Sequence, residues 1–188
     1  MSDGELTPPV SARDHVAGPD DAAVTLVEYG DYECPYCGMA APIVKRAQQD
    51  LGSRLRFIFR NFPLAESHPH ARLAAEAAGA QGKFWEMHDM LFERQDALET
   101  EDLLSYAKSI GIDTVQFSHD LEAGTYTKQV RDDFRNGVRS GVNGTPTFFV
   151  NGSRYDGSWA NEKAFTHALR EAAQQSGRGP RTTAEANG

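Results

Sequence analysis

The feature that most constrains the fold is a pair of cysteines, Cys34 and Cys37, separated by two residues at a predicted strand-to-helix junction. They are the only 2 cysteines among the 188 residues. Residues 23–29 are rich in β-branched and apolar side chains and predict a buried strand. Residues 39–51 predict a helix. A Cys-x-x-Cys motif in such a position indicates a redox site more often than any other function.

Helix geometry assigns a role to each thiol. Cys34 is predicted at the helix N-terminus, where unpaired N–H groups and the helix dipole favour the negatively charged thiolate, which is the nucleophile. Pro35 suits the first helical position because its missing N–H would have no partner there. Cys37 lies one turn further along. We therefore predict that Cys34 is the attacking thiol and Cys37 the resolving thiol.

A zinc site and a purely structural disulfide are the two other interpretations of a cysteine pair. A zinc site would need two further ligands, and the chain has no second cysteine pair and no suitably spaced histidine pair. A purely structural disulfide closing so short a loop would constrain the unfolded chain little. The redox interpretation is favoured over both.

The stretch from Glu28 to Cys37, Glu-Tyr-Gly-Asp-Tyr-Glu-Cys-Pro-Tyr-Cys, resembles the active-site stretch of DsbA-like thioredoxin-fold proteins. Pro42 stands where their active-site helices often carry a kinking proline. Gly144-Thr145-Pro146-Thr147 resembles their cis-proline loop. Further matches, which resemble the family's helical insertion, are Asn61-Phe62-Pro63-Leu64, His68-Pro69 and residues 83–89. The resemblance covers approximately residues 10–175.

The resemblance implies an α/β thioredoxin fold with an inserted all-helical domain. The expected divisions are a disordered segment at 1–12, the first part of the thioredoxin fold with the active site at 13–63, the helical insertion at 64–142, the second part of the fold at 143–175 and a disordered tail at 176–188. Residues 54–60 alternate and predict a strand parallel to 23–29, joined by a right-handed crossover. Asn151-Gly152 predicts a tight hairpin turn.

The resemblance also implies roles for residues outside the motif. Glu28 corresponds to an acid that lies beneath the cysteine pair and assists proton transfer, although a carboxylate bonded to solvent or lysine is the plainer interpretation. Thr145 and Pro146 are expected to bind an extended substrate segment, with a cis bond at Pro146, and Pro35 and Tyr36 are expected at the same substrate-binding surface.

The function expected from these features is that of a thiol–disulfide oxidoreductase that forms, reduces or exchanges protein disulfides through Cys34 and Cys37. Its partners would be protein or peptide thiols and disulfides, together with a redox partner that recycles the pair. We expect no metal and no organic cofactor, because the reacting groups belong to the protein. Two alternatives remain: a cytosolic glutaredoxin-like or thioredoxin-like reductase, since Cys-Pro-Tyr-Cys also resembles the glutaredoxin active site, and a non-catalytic peptide-binding or chaperone module.

Charge and hydropathy exclude some other classes. The net charge of −8 argues against nucleic-acid binding. No run of about 18 apolar residues exists, so no membrane insertion is expected. The first residues have neither a basic region nor an apolar region typical of a signal peptide. The chain as written is therefore expected in the cytoplasm, with an extracytoplasmic location possible if a leader was removed.

Overall fold

The computed structural model describes residues 4–64, 67 and 69–176 of the chain. The described strands are β1 His15–Ala17, β2 Val24–Gly30, β3 Leu55–Asn61, β4 Thr147–Val150 and β5 Ser153–Arg154. The described α-helices are α1 Pro35–Leu51, α2 Pro69–Ala80, α3 Phe84–Glu93, α4 Thr100–Ser109, α5 Thr114–Glu122, α6 Thr127–Arg139 and α7 Glu162–Ser176.

The strands form one mixed sheet in the order β1-β3-β2-β4-β5. β2 and β3 are parallel and are connected through α1, whereas the pairs β1–β3, β2–β4 and β4–β5 are antiparallel. Helices α2 to α6 lie between β3 and β4 in the chain. The predicted thioredoxin fold with a helical insertion is thereby confirmed, while the division of the chain at residues 64 and 142 stays a prediction.

The two faces of the sheet pack against different parts of the chain, because side chains alternate along each strand. Leu26, Phe57 and Phe148 belong to a core shared with α1, α7 and the inserted helices. Helix α1 contributes the buried residues Cys37, Ala40, Val44, Ala47 and Leu51, whose spacing of three or four residues is that of one helix face. The active-site helix is therefore fixed along its whole length.

The opposite face of the sheet is covered by α6 and by the N-terminal segment. Val27, Tyr29, Ile58 and Phe149 form its buried core, which is packed by Phe134 of α6 and by Leu6 and Val10. Phe134 also stacks on Phe62, with ring centroids 4.5 Å apart.

The prediction that residues 1–12 are disordered is wrong for the described residues 4–12. Leu6 N–H donates to Gly152 O at 2.8 Å, and Arg154 N–H donates to Gly4 O at 2.7 Å, so the segment pairs with the β5 edge. Thr7 N–H donates to Ser140 Oγ at 2.8 Å. The predicted tail at 176–188 falls outside the described residues, except for Ser176, which is the last residue of α7.

The side chain of Arg60 on β3 explains why the N-terminal segment is ordered. Its guanidinium donates to the main-chain oxygens of Pro8 at 3.0 Å and Pro9 at 3.2 Å. It also forms a bidentate pair with Asp14, at 2.7 and 3.1 Å. The two side chains are only 3% and 7% exposed. A buried guanidinium needs such acceptors, and the N-terminal segment supplies two of them, the main-chain oxygens of Pro8 and Pro9.

The predicted hairpin turn is confirmed, since Asn151 and Gly152 join β4 to β5 with φ values of 50° and 86°. At the other edge of the sheet, the Trp85 indole N–H donates to Val16 O of β1 at 3.2 Å. Among the described residues, no helix combines the length and the apolar composition that crossing a membrane requires.

Candidate active site

The cysteine motif lies at the point where β2 ends and α1 begins. Cys34 is the N-cap of α1, with φ −81° and ψ 119°, and Pro35 occupies the first helical position. No side chain caps this helix end. The unpaired N–H groups of the first turn are therefore available to stabilise negative charge next to Cys34. Cys34 is partly exposed, and both cysteines are present as thiols.

Cys37 differs sharply from Cys34 in its surroundings. It is 0% exposed. Burial raises the pKa of the Cys37 thiol far above its ordinary value, and Glu28, when ionised, raises it further. The Asp31 backbone N–H, 3.5 Å from Cys37 Sγ, and the Thr145 side chain act in the opposite direction and are outweighed. Cys37 is thus held as a protonated thiol.

Glu28 lies on the face of β2 that packs against α1. The residue is 2% exposed, and its Oε1 atom has no hydrogen-bond partner. Burial alone raises the pKa of this carboxyl to about 8. At neutral pH the carboxyl is therefore mostly protonated, next to a thiol that must lose a proton before it can react.

Strand pairing brings Thr145 and Pro146 to the cysteines. β4 runs antiparallel to β2, with Thr147 opposite Tyr29, so the loop before β4 meets the end of β2. The Thr145–Pro146 peptide bond is cis. The Cys34 thiol donates to Thr145 O at 3.4 Å. The Thr145 hydroxyl oxygen is buried without a hydrogen-bond partner. It lies near enough to Cys37 to oppose the rise in the pKa of that thiol, so Thr145 is close to both cysteines.

Three large apolar side chains are exposed within or close in sequence to the elements that carry the motif. Tyr36 between the cysteines is 62% exposed, Met39 on the next turn of α1 is 58% exposed and Leu64 after β3 is 57% exposed. Pro35 is exposed as well. Pro35 and Tyr36 were predicted at a substrate-binding surface. The exposure of Met39 and Leu64 was not predicted.

Asp31 is a further residue that the sequence analysis missed. Its carboxylate accepts from Glu33 N–H at 3.0 Å and from Leu64 N–H at 2.7 Å. Its own carbonyl accepts from Cys34 N–H at 3.0 Å. Asp31 therefore ties the loop before Cys34 to the start of the inserted region. Aspartate bonded to the N–H two residues on is a recognisable turn pattern, and this signal could have identified Asp31.

Gln95 also contacts the motif and was not predicted. Its side-chain amide donates to Tyr32 O at 2.8 Å and to Cys34 O at 2.9 Å. Gln95 lies about sixty residues beyond the motif, in the turn between α3 and α4. Nothing local in the sequence marks it.

Comparison with known proteins places the chain in a family. A family model described as thioredoxin matches residues 11–170. The chain belongs to the thioredoxin family. The solved structure of BdbD from Bacillus subtilis superimposes on this thioredoxin-family chain with a TM-score of 0.80 and 27% identity, covering 92% of this chain and 99% of that one. A thioredoxin-like oxidoreductase from Silicibacter pomeroyi gives a TM-score of 0.75 and 30% identity, covering 88% and 94% of the two chains.

A curated relative has a different kind of name. The protein named Na(+)/H(+) antiporter NhaA 1 of Salinispora arenicola is 46% identical over 163 residues, which are 85% of this chain and 25% of that protein. The chain thus spans about a quarter of the length of the curated relatives that it matches. The thioredoxin-family match lies within a longer polypeptide in these relatives.

Proposed function

We propose that this chain is a DsbA-like protein thiol–disulfide oxidoreductase in which Cys34 attacks and Cys37 resolves. The observation that carries the proposal is the contrast between the two thiols. Cys34 stands partly exposed at a helix N-terminus, whereas Cys37 is fully buried above a protonated Glu28. The structural likeness to BdbD and to the Silicibacter pomeroyi oxidoreductase supports this function.

The reaction uses only sulfur and protons of the protein and its client. The Cys34 thiolate attacks one sulfur of a client disulfide, a mixed disulfide forms and the other client sulfur leaves as a thiolate. Cys37 then loses its proton and attacks Cys34 Sγ, which releases the second client thiolate and leaves a Cys34–Cys37 disulfide. The reverse sequence oxidises a client dithiol. A redox partner must reset the pair after each cycle.

Glu28 is proposed to move the proton of Cys37. A carboxyl with a pKa of about 8 changes protonation state near neutral pH, and its charge acts directly on the Cys37 thiol. An ionised Glu28 would accept the proton as Cys37 attacks, and a protonated Glu28 would return it when Cys37 leaves.

The proposed clients are disulfide-bearing or dithiol-bearing polypeptides. Tyr36 lies between the cysteines, Met39 follows on α1, and the Leu64 backbone is bonded to Asp31. All three side chains are exposed, and such apolar surface suits the side chains of an unfolded segment. Thr145, Pro146 and Pro35 complete the proposed client-binding surface, where the backbone of the loop before β4 can pair with an extended chain.

A trapping experiment tests the assignment of the two thiols. Cys37→Ser should accumulate a mixed disulfide between Cys34 and an oxidised peptide client, because the resolving thiol is missing, whereas Cys34→Ser should form none. Wild type should accelerate insulin reduction by dithiothreitol, and both variants should lose that activity. Turnover of Cys37→Ser at the wild-type rate would refute the resolving role. An inactive wild type that nonetheless suppresses client aggregation would favour a non-catalytic peptide-binding module.

A further inference from the structure

The Gln95 side chain satisfies two main-chain carbonyls at the start of the active-site helix. Its Nε2 group donates to Tyr32 O at 2.8 Å and to Cys34 O at 2.9 Å. Cys34 O also accepts the Gly38 N–H at 3.1 Å. A carbonyl oxygen has two lone pairs, so the acceptor capacity of Cys34 O is filled from one side by α1 and from the other by the helical insertion.

The turn that carries Gln95 is itself held in place. Ala97 N–H donates to Arg94 O at 2.9 Å, closing the turn. The Tyr106 hydroxyl of α4 donates to Ala97 O at 2.8 Å. Leu98, directly after the turn, is 3% exposed. The Gln95 amide is therefore presented to the active site by a fixed support.

Gly38 leaves the space that Gln95 fills. A Cβ atom at position 38 would lie 2.1 Å from Gln95 Oε1 and 2.8 Å from Gln95 Cδ, and the three nearest atoms to it all belong to Gln95. Alanine is the better residue for the interior of a helix. The glycine next to Cys37 is thus accounted for by the entry of the Gln95 side chain.

We propose that Gln95 is a positioning residue for Cys34, through which the helical insertion holds the loop from Tyr32 to Cys34 at the N-terminus of α1. The inference rests on the proposed function for its meaning, since Cys34 is there the attacking thiol. By fixing two carbonyls of this loop, Gln95 keeps the Cys34 sulfur next to the unpaired N–H groups of the first turn, where its thiolate form is favoured. A side chain at position 38 would displace the Gln95 amide from this contact.

The test measures the rate at which iodoacetamide alkylates Cys34 in the reduced protein, as a function of pH. Gln95→Ala and Gln95→Met should both move the midpoint of this profile upward by about 0.2 to 0.7 pH unit, the share that a helix N-terminus supplies. Met fills the space without donating, so it separates hydrogen bonding from packing. Gln49→Ala, an exposed glutamine on α1, should leave the midpoint unchanged. An unchanged midpoint in Gln95→Met would overturn the proposal.

A double-mutant cycle tests the role of Gly38. Gly38→Ala should displace Gln95 and shift the midpoint as Gln95→Ala does, but it should add no shift in the Gln95→Ala background. Equal shifts in both backgrounds would refute the coupling. The alkylation profile does not depend on catalysis, so a wild type inactive towards insulin would remove the proposed function and leave this inference standing. If wild type is active but its alkylation profile is unchanged by the Gln95 substitutions, the proposed function would stand and this inference would be refuted.

Discussion

At the scale of single residues, Glu28 couples the redox site to stability. An acid whose pKa is raised by folding binds a proton in the native state that it lacks in the unfolded state. Between the ordinary value of 4.5 and the folded value of about 8, the native state therefore holds the extra proton, and the free energy of unfolding falls as the pH rises. Burial of this carboxyl is tolerated at acidic pH and becomes costly at alkaline pH.

Glu28→Gln should remove this dependence of the unfolding free energy on pH. Relative to the variant, wild type should lose up to about 1.4 kcal/mol of unfolding free energy per pH unit between roughly pH 5 and pH 8, as measured by urea unfolding. Burial also raises the pKa of Asp133 to about 7 and lowers the pKa of His88 to about 3. Both residues titrate in wild type and in the variant, so the difference between the two proteins reports Glu28 alone. Glu93→Gln, at a 66% exposed side chain, is the control. Parallel curves for wild type and Glu28→Gln would contradict the assignment.

Tyr36, between the two cysteines, is expected to influence the stability of the reduced form. It supplies no positive charge next to Cys34, so we expect a reduction potential between about −230 and −120 mV, the interval from glutaredoxins to DsbA. Tyr36→His adds a donor or charge that stabilises the thiolate, and the potential should rise. Equilibration with glutathione buffers measures both proteins. A wild-type value near −270 mV, as in thioredoxin, would favour the reductase alternative, and an unchanged value in the variant would show that position 36 does not set the potential.

At the scale of elements, the N-terminal segment is fixed to the sheet by the buried pair of Arg60 and Asp14. Removing one partner leaves the other charge buried and unpaired. Asp14→Ala should therefore reduce the unfolding free energy by about 3 to 5 kcal/mol. The control is Asp50→Ala, which removes the partner of Arg170 in a pair whose side chains are 37% and 49% exposed, and which should reduce the unfolding free energy far less because solvent screens the pair. Similar losses in urea unfolding for both variants would refute the structural role of Asp14.

How far each element could be predicted depended on the range of its contacts. The strand–Cys-x-x-Cys–helix unit, the Asn151-Gly152 hairpin and the N-cap of α5 at Asp113, which accepts from Gln116 N–H at 3.0 Å, have local signals. Thr100 is a residue type that often caps helices, but it is the first helical residue of α4, and the cap is Glu99, which forms a capping box with Asp102. Two neighbouring residues, one with a carboxylate and one with a hydroxyl, can each cap a helix, and residue preferences do not decide which of them does.

The elements that were missed depend on partners far along the chain. Residues 4–12 are polar and rich in proline, which indicates disorder when read alone. Their order comes from Arg60, about fifty residues away, and a strand arginine carries no sign of where its guanidinium will point. Gln95 is hidden in the same way. The predicted positions of Glu28, Thr145 and Pro146 needed the family resemblance, because spacing alone does not bring β4 beside β2.

At the scale of the whole molecule, each of the two edge strands of the sheet, β1 and β5, has hydrogen-bonding groups that are paired with another part of the chain. β5 pairs with the N-terminal segment through an isolated bridge between Glu5 and Ser153. β1 is three residues long, and its Val16 carbonyl is taken by Trp85. Unpaired strand edges are the usual template for adding another chain, and within the described residues these two edges offer little of that surface.

The pairing of these edges has a consequence for the proposed function, in which the clients are unfolded polypeptides. Polypeptides that still lack their disulfides carry free N–H and C=O groups and would add to any open sheet edge as an extra strand. Because the two edges offer little free hydrogen-bonding surface, a client of the proposed oxidoreductase would bind at the loop of Thr145 next to Cys34, where disulfide exchange also releases it. By pairing with β5, the ordered N-terminal segment leaves less of that strand edge open to a second chain, and with it less surface on which client chains could aggregate.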